Sequence, residues 1–259
     1  MFELLREGDA EALAALLVDD PALVGSVDED GMPLLHAAAQ TDDPELVELL
    51  LVRGAERDAR APWGHTALQW AANMNARQAA ARLLQRGAPL DLWSAAALGR
   101  SDDVRTLLEA EATSGPDARG EAEATDEGAA SGDTDPITGA PKRVSDAFYI
   151  ACRNGALETA KLLRKRGAEV DALGYFDATA LHWAAINGHT AVVEWLVQQG
   201  ADTGRCDPEF GATPAGWARE GGHGDLTRWL EEAHGRSTAS SRGELPPEEG
   251  PSTAEGGSA

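Results

Sequence analysis

A glycine–alanine pair returns along this chain at a fixed interval. Gly54-Ala55 and Gly87-Ala88 stand 33 residues apart, as do Gly167-Ala168 and Gly200-Ala201, and Gly31 and Gly64 share the same offset. Thr179 and Thr213 repeat one residue longer, at 34. A period of this length restricts the chain to an array in which each unit is one supersecondary element that cannot bury its apolar side alone. Stacking of neighbours then supplies the core.

The clearest copy runs Asp177-Ala178-Thr179-Ala180-Leu181-His182-Trp183-Ala184-Ala185-Ile186-Asn187-Gly188-His189. Small Ala184 and Ala185 let one short helix approach the next closely, and Gly188 stops that helix where a left-handed backbone is favoured. A second helix follows through Val192, Val193, Trp195, Leu196 and Val197, with its apolar residues at helical spacing, and Gly200 closes it. This segment resembles the ankyrin signature G-x-T-P-L-H-x-A-A-x-x-G-H.

Other copies are less complete. Leu35-His36 with Ala37, Ala38 and Ala39 marks one unit, followed by Leu46, Val47, Leu49, Leu50 and Leu51. Another carries Gly64, Thr66, Leu68, Ala71 and Ala72, but Gln69 stands at the histidine position. The unit ending the array has Gly211, Thr213, Pro214 and Ala218, with Gly216 for histidine and Arg219 for alanine, the polar change a cap requires. Leu92 to Arg100 matches the helical half of a unit whose preceding finger turn is missing, and Phe148 to Gly155 is a similar half-match. Leu4, Leu5 and Gly8 with Leu13, Leu16 and Leu17 form a fingerless pair that seals the first end. The resemblance thus predicts an all-α, ankyrin-repeat solenoid of about seven helix-turn-helix units over residues 1–234, with N-terminal repeats at 1–110 and C-terminal repeats at 142–234.

What the resemblance implies for function is protein binding and no catalysis, with contacts from the finger turns and first helices on a concave face. The variable positions of the pattern fall here on Glu29, Asp30, Met32, Gln40 and Thr41; on Pro62, Trp63, His65, Asn73 and Met74; on Tyr175, Phe176, Ala178, Ile186 and Asn187; and on Glu209, Phe210, Ala212 and Glu220. Of these, Trp63, His65, Asn73, Met74, Tyr175, Phe176, Ile186, Asn187, Glu209 and Phe210 form the candidate partner-binding set. Trp63, Tyr175, Phe176 and Phe210 lie in turns, where they serve either as anchors for a partner or as packing between fingers. Trp70, Trp183, Trp195, Trp217 and Trp229 lie on helices at periodic positions and read as packing.

Charge narrows the partner. The 259 residues carry 44 Asp and Glu against 22 Lys and Arg, a net charge of −22. Such a surface repels a phosphate backbone, so nucleic acid is excluded and a protein partner, favoured if basic, is expected. The acidity equally suits solubility or a saline cytoplasm. With no run of about 18 apolar residues, no basic-then-apolar leader, and only Cys152 and Cys206 in no C-x-x-C pair, a monomer in the reducing cytoplasm, away from membranes, is expected. His36 and His182 occupy the signature histidine position, and His189 and His223 the matching helix connection, so structural duty accounts for them. No G-x-S-x-G, H-E-x-x-H or phosphate-cradling loop is present, and neither cofactor, metal nor catalytic residue is expected.

Two segments fall outside the repeat. Residues 111–141 are Ala, Gly, Ser, Thr, Pro and acid, with Arg119 as the single cation and Ile137 as the one large apolar side chain, and read as a disordered insertion; 235–259 read as a disordered tail. Right after the insertion come Lys142, Arg143, Arg153, Lys161, Arg164, Lys165 and Arg166, which include all three lysines of the chain. The insertion either folds back over these cations and competes with an acidic partner, or is a solvated loop beside a solvated helix. The function expected is a scaffold or adaptor; the alternative is a regulatory or inhibitory subunit of an enzyme, with the insertion acting as a gate or substrate mimic.

Overall fold

The computed structural model describes residues 1–113 and 142–241. Among these residues the structure is built from α-helices joined by turns, two short 3-10 segments and three isolated bridges, and the α-helices come in seven antiparallel pairs: α1 (Phe2–Glu7) with α2 (Ala10–Asp19), α3 (Leu34–Gln40) with α4 (Pro44–Val52), α5 (Ala67–Asn73) with α6 (Arg77–Gln85), α7 (Leu92–Ala97) with α8 (Ser101–Thr113), α9 (Lys142–Arg153) with α10 (Leu157–Lys165), α11 (Ala180–Ile186) with α12 (Thr190–Gln198), and α13 (Pro214–Glu220) with α14 (Gly224–Ser241). First helices pack on first helices in a row, α3 on α5, then α7, α9, α11 and α13, while α2, α4 and α6 form a second layer, as do α8 and α10.

Local chemistry starts and stops each helix. Asp43, Thr66, Asp91 and Thr213 cap α4, α5, α7 and α13 by accepting backbone N–H groups of the first turn. The pairs Ala71-Ala72 and Ala184-Ala185 are fully buried, which lets the first helices approach closely, and Leu46, Val47, Leu50, Leu83, Leu163, Val192, Val193 and Leu196 fill the space between layers. Across the junction of the two repeat blocks, the Asn154 side-chain amide donates to the carbonyls of Ala72 (2.9 Å) and Ala97 (3.1 Å), tying together the ends of α5, α7 and α9.

Fingers precede α3, α5, α11 and α13. Three are small hairpins closed by one antiparallel bridge each, Val27 to Pro33, Arg60 to Thr66 and Leu173 to Thr179. Before α7 there is no finger, and Asp91 follows the end of α6 within six residues.

Two boundaries differ from expectation. Helix α8 continues through Thr113, three residues into the segment read as insertion, because Glu109-Ala110-Glu111-Ala112 has high helix propensity. Helix α14 continues to Ser241, beyond the expected end near 234. Leu226, Leu230 and Ala233 bury its inner stripe, and His234 Nδ1 lies 3.2 Å from Thr203 Oγ1, which anchors the turn that carries Gly235. The remaining insertion, 114–141, and tail, 242–259, lie outside the described residues.

Candidate protein-binding face

Each finger turns tightly. A backbone bond closes it, from Asp28 N–H to Met32 O (3.0 Å), Ala61 to His65 (2.9 Å), Gly174 to Ala178 (3.0 Å) and Asp207 to Ala212 (3.0 Å). The turn demands a left-handed residue, supplied by Gly31, Gly64 and Gly211; in the α11 finger Phe176 (φ 59°) and Asp177 (φ 49°) both take that conformation instead. A side chain there costs about 1–2 kcal/mol, so this finger holds its phenylalanine against backbone preference.

The turn aromatics repeat a single contact. Trp63, Phe176 and Phe210 each meet the tryptophan seven residues onward: Trp63 with Trp70 (centroids 5.1 Å), Phe176 with Trp183 (6.2 Å, nearly parallel) and Phe210 with Trp217 (6.2 Å, edge-on). These three finger aromatics therefore pack on their own first helices, while the first two fingers also meet each other where Gly31 faces the Pro62 ring. The pairing has two outcomes for exposure. Trp63 is half-buried and its indole nitrogen is enclosed, whereas Phe176 and Phe210 remain 56% and 66% exposed.

The other candidate residues divide likewise. Met74, Asn187 and Glu209 are exposed, and Ile186 is half-buried at the end of α11. His65 is half-buried, its ring 5.8 Å from that of Trp93 and its carbonyl 2.8 Å from His36 Nε2. Asn73 is engaged within the protein, its Oδ1 accepting from Arg153. Asn187 Nδ2 donates to Trp183 O (2.8 Å). The side chain of Tyr175 lies outside the described residues. Ala178, expected on the contact face, is fully buried, because its carbonyl closes the finger and its methyl turns inward.

Arg153 was legible only as one of a run of cations. Structurally it separates from them: its guanidinium lies 4.9 Å from the centre of the Trp183 ring, on the first-helix row, while Lys161 pairs with Glu158 (2.8 Å), Arg164 donates to Ala168 O (2.9 Å) and Arg166 approaches Glu109 (3.9 Å) on the α8–α10 side. Aligning Ala151-Cys152 with Ala71-Ala72 and Ala184-Ala185 puts Arg153 at the position of Asn73 and Ile186, which is the signal that finds it.

The signature histidines hold fingers in place. His182 Nδ1 accepts from Thr179 N–H (3.3 Å) and Oγ1–H (2.8 Å), and Nε2–H donates to the carbonyls of Arg205 (3.1 Å) and Ala212 (3.2 Å) in the next finger. Carbonyls only accept, so the proton sits on Nε2. Burial pushes the pKa of both His36 and His182 down and keeps them neutral. Gln69 performs the same duty without a ring, accepting from Thr66 N–H (2.9 Å) and donating to Asp91 (2.6 Å). At the helix connections His223 donates to Ile186 O (3.1 Å) and its ring covers Gly188, as that of His189 covers Gly155.

The sequence profile of the ankyrin repeats (three copies) family matches residues 2–92, 35–119 and 148–240, most of the chain. The chain belongs to the ankyrin repeat family. Curated relatives share single stretches of the ankyrin array. Residues of this chain are 40% identical over 70 positions to the palmitoyltransferase AKR1 of Kluyveromyces lactis, covering 27% of this chain and 9% of that one. Over 69 positions they are 33% identical to the palmitoyltransferase akr1 of Schizosaccharomyces pombe (26% and 11%), and over 58 positions 45% identical to the ankyrin repeat domain-containing protein SAT10 of Stachybotrys chartarum (22% and 3%). The chain spans about a tenth or less of the length of these relatives.

In the last ankyrin unit the missing histidine is replaced from another direction. Asp207, almost fully buried, accepts from Phe210 N–H (2.6 Å), Ala212 N–H (3.0 Å) and the Trp217 indole N–H (2.9 Å). Burial alone would raise its pKa, but these three donors together hold the carboxyl below its usual range. The finger that presents Phe210 is therefore braced by a charge. Among the described residues no helix is long and apolar enough to cross a membrane.

Proposed function

We propose that this ankyrin-repeat chain is a non-catalytic scaffold or adaptor, acting as a monomer, that holds a partner protein along its fingers and first helices. The observation that carries this reading is the outward presentation of Phe176 and Phe210 from consecutive fingers. Large rings left in water on a braced turn gain free energy when a partner covers them, and aromatic anchors carry a disproportionate share of interface energy. Backing by Trp183 and Trp217 orders both rings before binding, which reduces the entropy lost on association.

Several features support the absence of catalysis. His36, His182 and His223 are engaged with backbone carbonyls, and the Cys152 thiol is buried, which pushes its pKa up and keeps it protonated. Two unbridged cysteines suit a reducing compartment such as the cytoplasm.

The test begins with affinity capture from the native source and identification of the bound protein by mass spectrometry. Calorimetric titration of that purified partner should then show at least a tenfold weaker complex with the double variant Phe176→Ala, Phe210→Ala, while its melting temperature stays within about 3 °C of the parent. Unchanged affinity would remove the finger face as the docking site.

A further inference from the structure

Resting on that docking reading, we infer that the finger face takes an extended, arginine-bearing segment of a basic protein, whose guanidinium groups stack on Phe176 and Phe210.

The molecule already contains one such contact. Arg153, from the preceding pair, stacks 4.9 Å above Trp183 and donates to Asn73. Trp183 in turn meets Phe176, and it stands edge-on to Trp217 at 5.1 Å, which carries Phe210. The aromatic rungs thus run continuously from Arg153 toward the end of the array. At the position Arg153 occupies, the next two units carry Ile186 and Glu220, so among the described residues this position supplies a cation to the first rung and none to the two that follow.

Exposed carboxylates adjoin the two exposed rings along the chain and end the last first helix. Asp177 follows Phe176, Glu209 precedes Phe210, and Glu220 ends α13; all three are exposed. An aromatic face beside a carboxylate matches the two ways a guanidinium binds, by stacking and by a planar pair of N–H donors. Lysine, a compact and strongly hydrated charge, gains less from the ring. A net charge of −22 adds long-range attraction for a basic segment. Neighbouring helices pack about 8–10 Å apart and an extended chain advances about 3.3 Å per residue, so one arginine in three matches the rungs.

Fluorescein-labelled dodecapeptides of the repeats Arg-Gly-Ser, Lys-Gly-Ser and citrulline-Gly-Ser, titrated with the full chain in about 100 mM salt, test this. The arginine peptide should bind about tenfold tighter than the lysine peptide and the citrulline peptide should not bind. The variant Phe176→Leu, Phe210→Leu, which keeps apolar bulk and loses the rings, should bind the arginine peptide no better than the lysine one. Equal affinity for arginine and lysine, or an arginine preference that survives the leucine variant, overturns the inference. If the captured native partner still binds the leucine variant but not the alanine variant, the docking face stands and the arginine reading falls. If it binds both variants as it binds the parent, both fall.

Discussion

The Tyr149 ring stands in the space that a side chain on Gly174 would fill: a Cβ built there would lie 2.1 Å from the ring's edge. Tyr149 occupies in α9 the place His182 occupies in α11, so where the signature ring is enlarged, the finger it braces has lost its side chain. The two departures from the repeat pattern compensate one another. Replacing Gly174 by Ala forces the backbone of that finger away from a buried ring, and overpacking of this kind costs about 1–3 kcal/mol. Thermal unfolding should show the loss, and Tyr149→Leu should recover part of it; an unchanged melting temperature for Gly174→Ala would mean the finger is free to shift.

Asp207 makes a second prediction, for acid. Its folded pKa lies below the ordinary 3.8, so its stabilising effect is complete above that value and disappears as pH falls through the folded pKa. Asp207→Asn places an amide N–H₂ against the N–H groups of Ala212 or Trp217, costing about 1–3 kcal/mol near neutrality. Denaturant unfolding at pH 7 should be weakened in the variant, and its stability should decline less than the parent's on going below pH 4. Parallel declines would assign the acid sensitivity elsewhere.

A third prediction concerns the histidines. Burial depresses the folded pKa of His36 and His182 below 6.5, so both are held neutral, their contribution is intact above pH 6.5, and it is lost as the pH drops through the lower folded value. Gln69 shows that a glutamine can fill this position. His182→Gln should fold and should flatten the decline of stability between pH 6.5 and 5 seen by chemical unfolding, whereas a variant with the parent's pH profile would show that His182 carries no part of it.

The repeat, its helices and the histidine positions were legible in the sequence because each rests on local rules: a cap, a small-residue pair, a stop glycine. What escaped was compensation between units. Nothing near Gly174 in sequence points to Tyr149, and Asp207 reads as one more acid in an acidic chain until the Trp217 indole is seen to reach it. Arg153 was hidden for a similar reason. Its unit lacks a recognisable finger, so its place on the first-helix row emerges only once α9 is stacked beside α11. The α14 boundary was misplaced because Gly235 looks like a stop, although the buried Leu226, Leu230 and Ala233 stripe carries the helix through it.

The i to i+7 aromatic pairs separate two roles that turn aromatics share in sequence. Trp63 and Phe210 hold equivalent finger positions, yet Trp63 is half-buried between its finger and Trp70, while two-thirds of Phe210 faces water. Removing Trp63 therefore opens a void against Trp70 and should cost about 2–4 kcal/mol, somewhat below a fully buried tryptophan. Removing Phe210 exposes one edge of an already braced indole and should cost less than about 1 kcal/mol, within the usual range for surface positions. Urea unfolding of Trp63→Ala and Phe210→Ala, followed by the change in tryptophan fluorescence, distinguishes them: a large shift in midpoint for the first and almost none for the second is expected. Equal losses would make Phe210 part of the fold's own packing and withdraw it from the face that meets a partner.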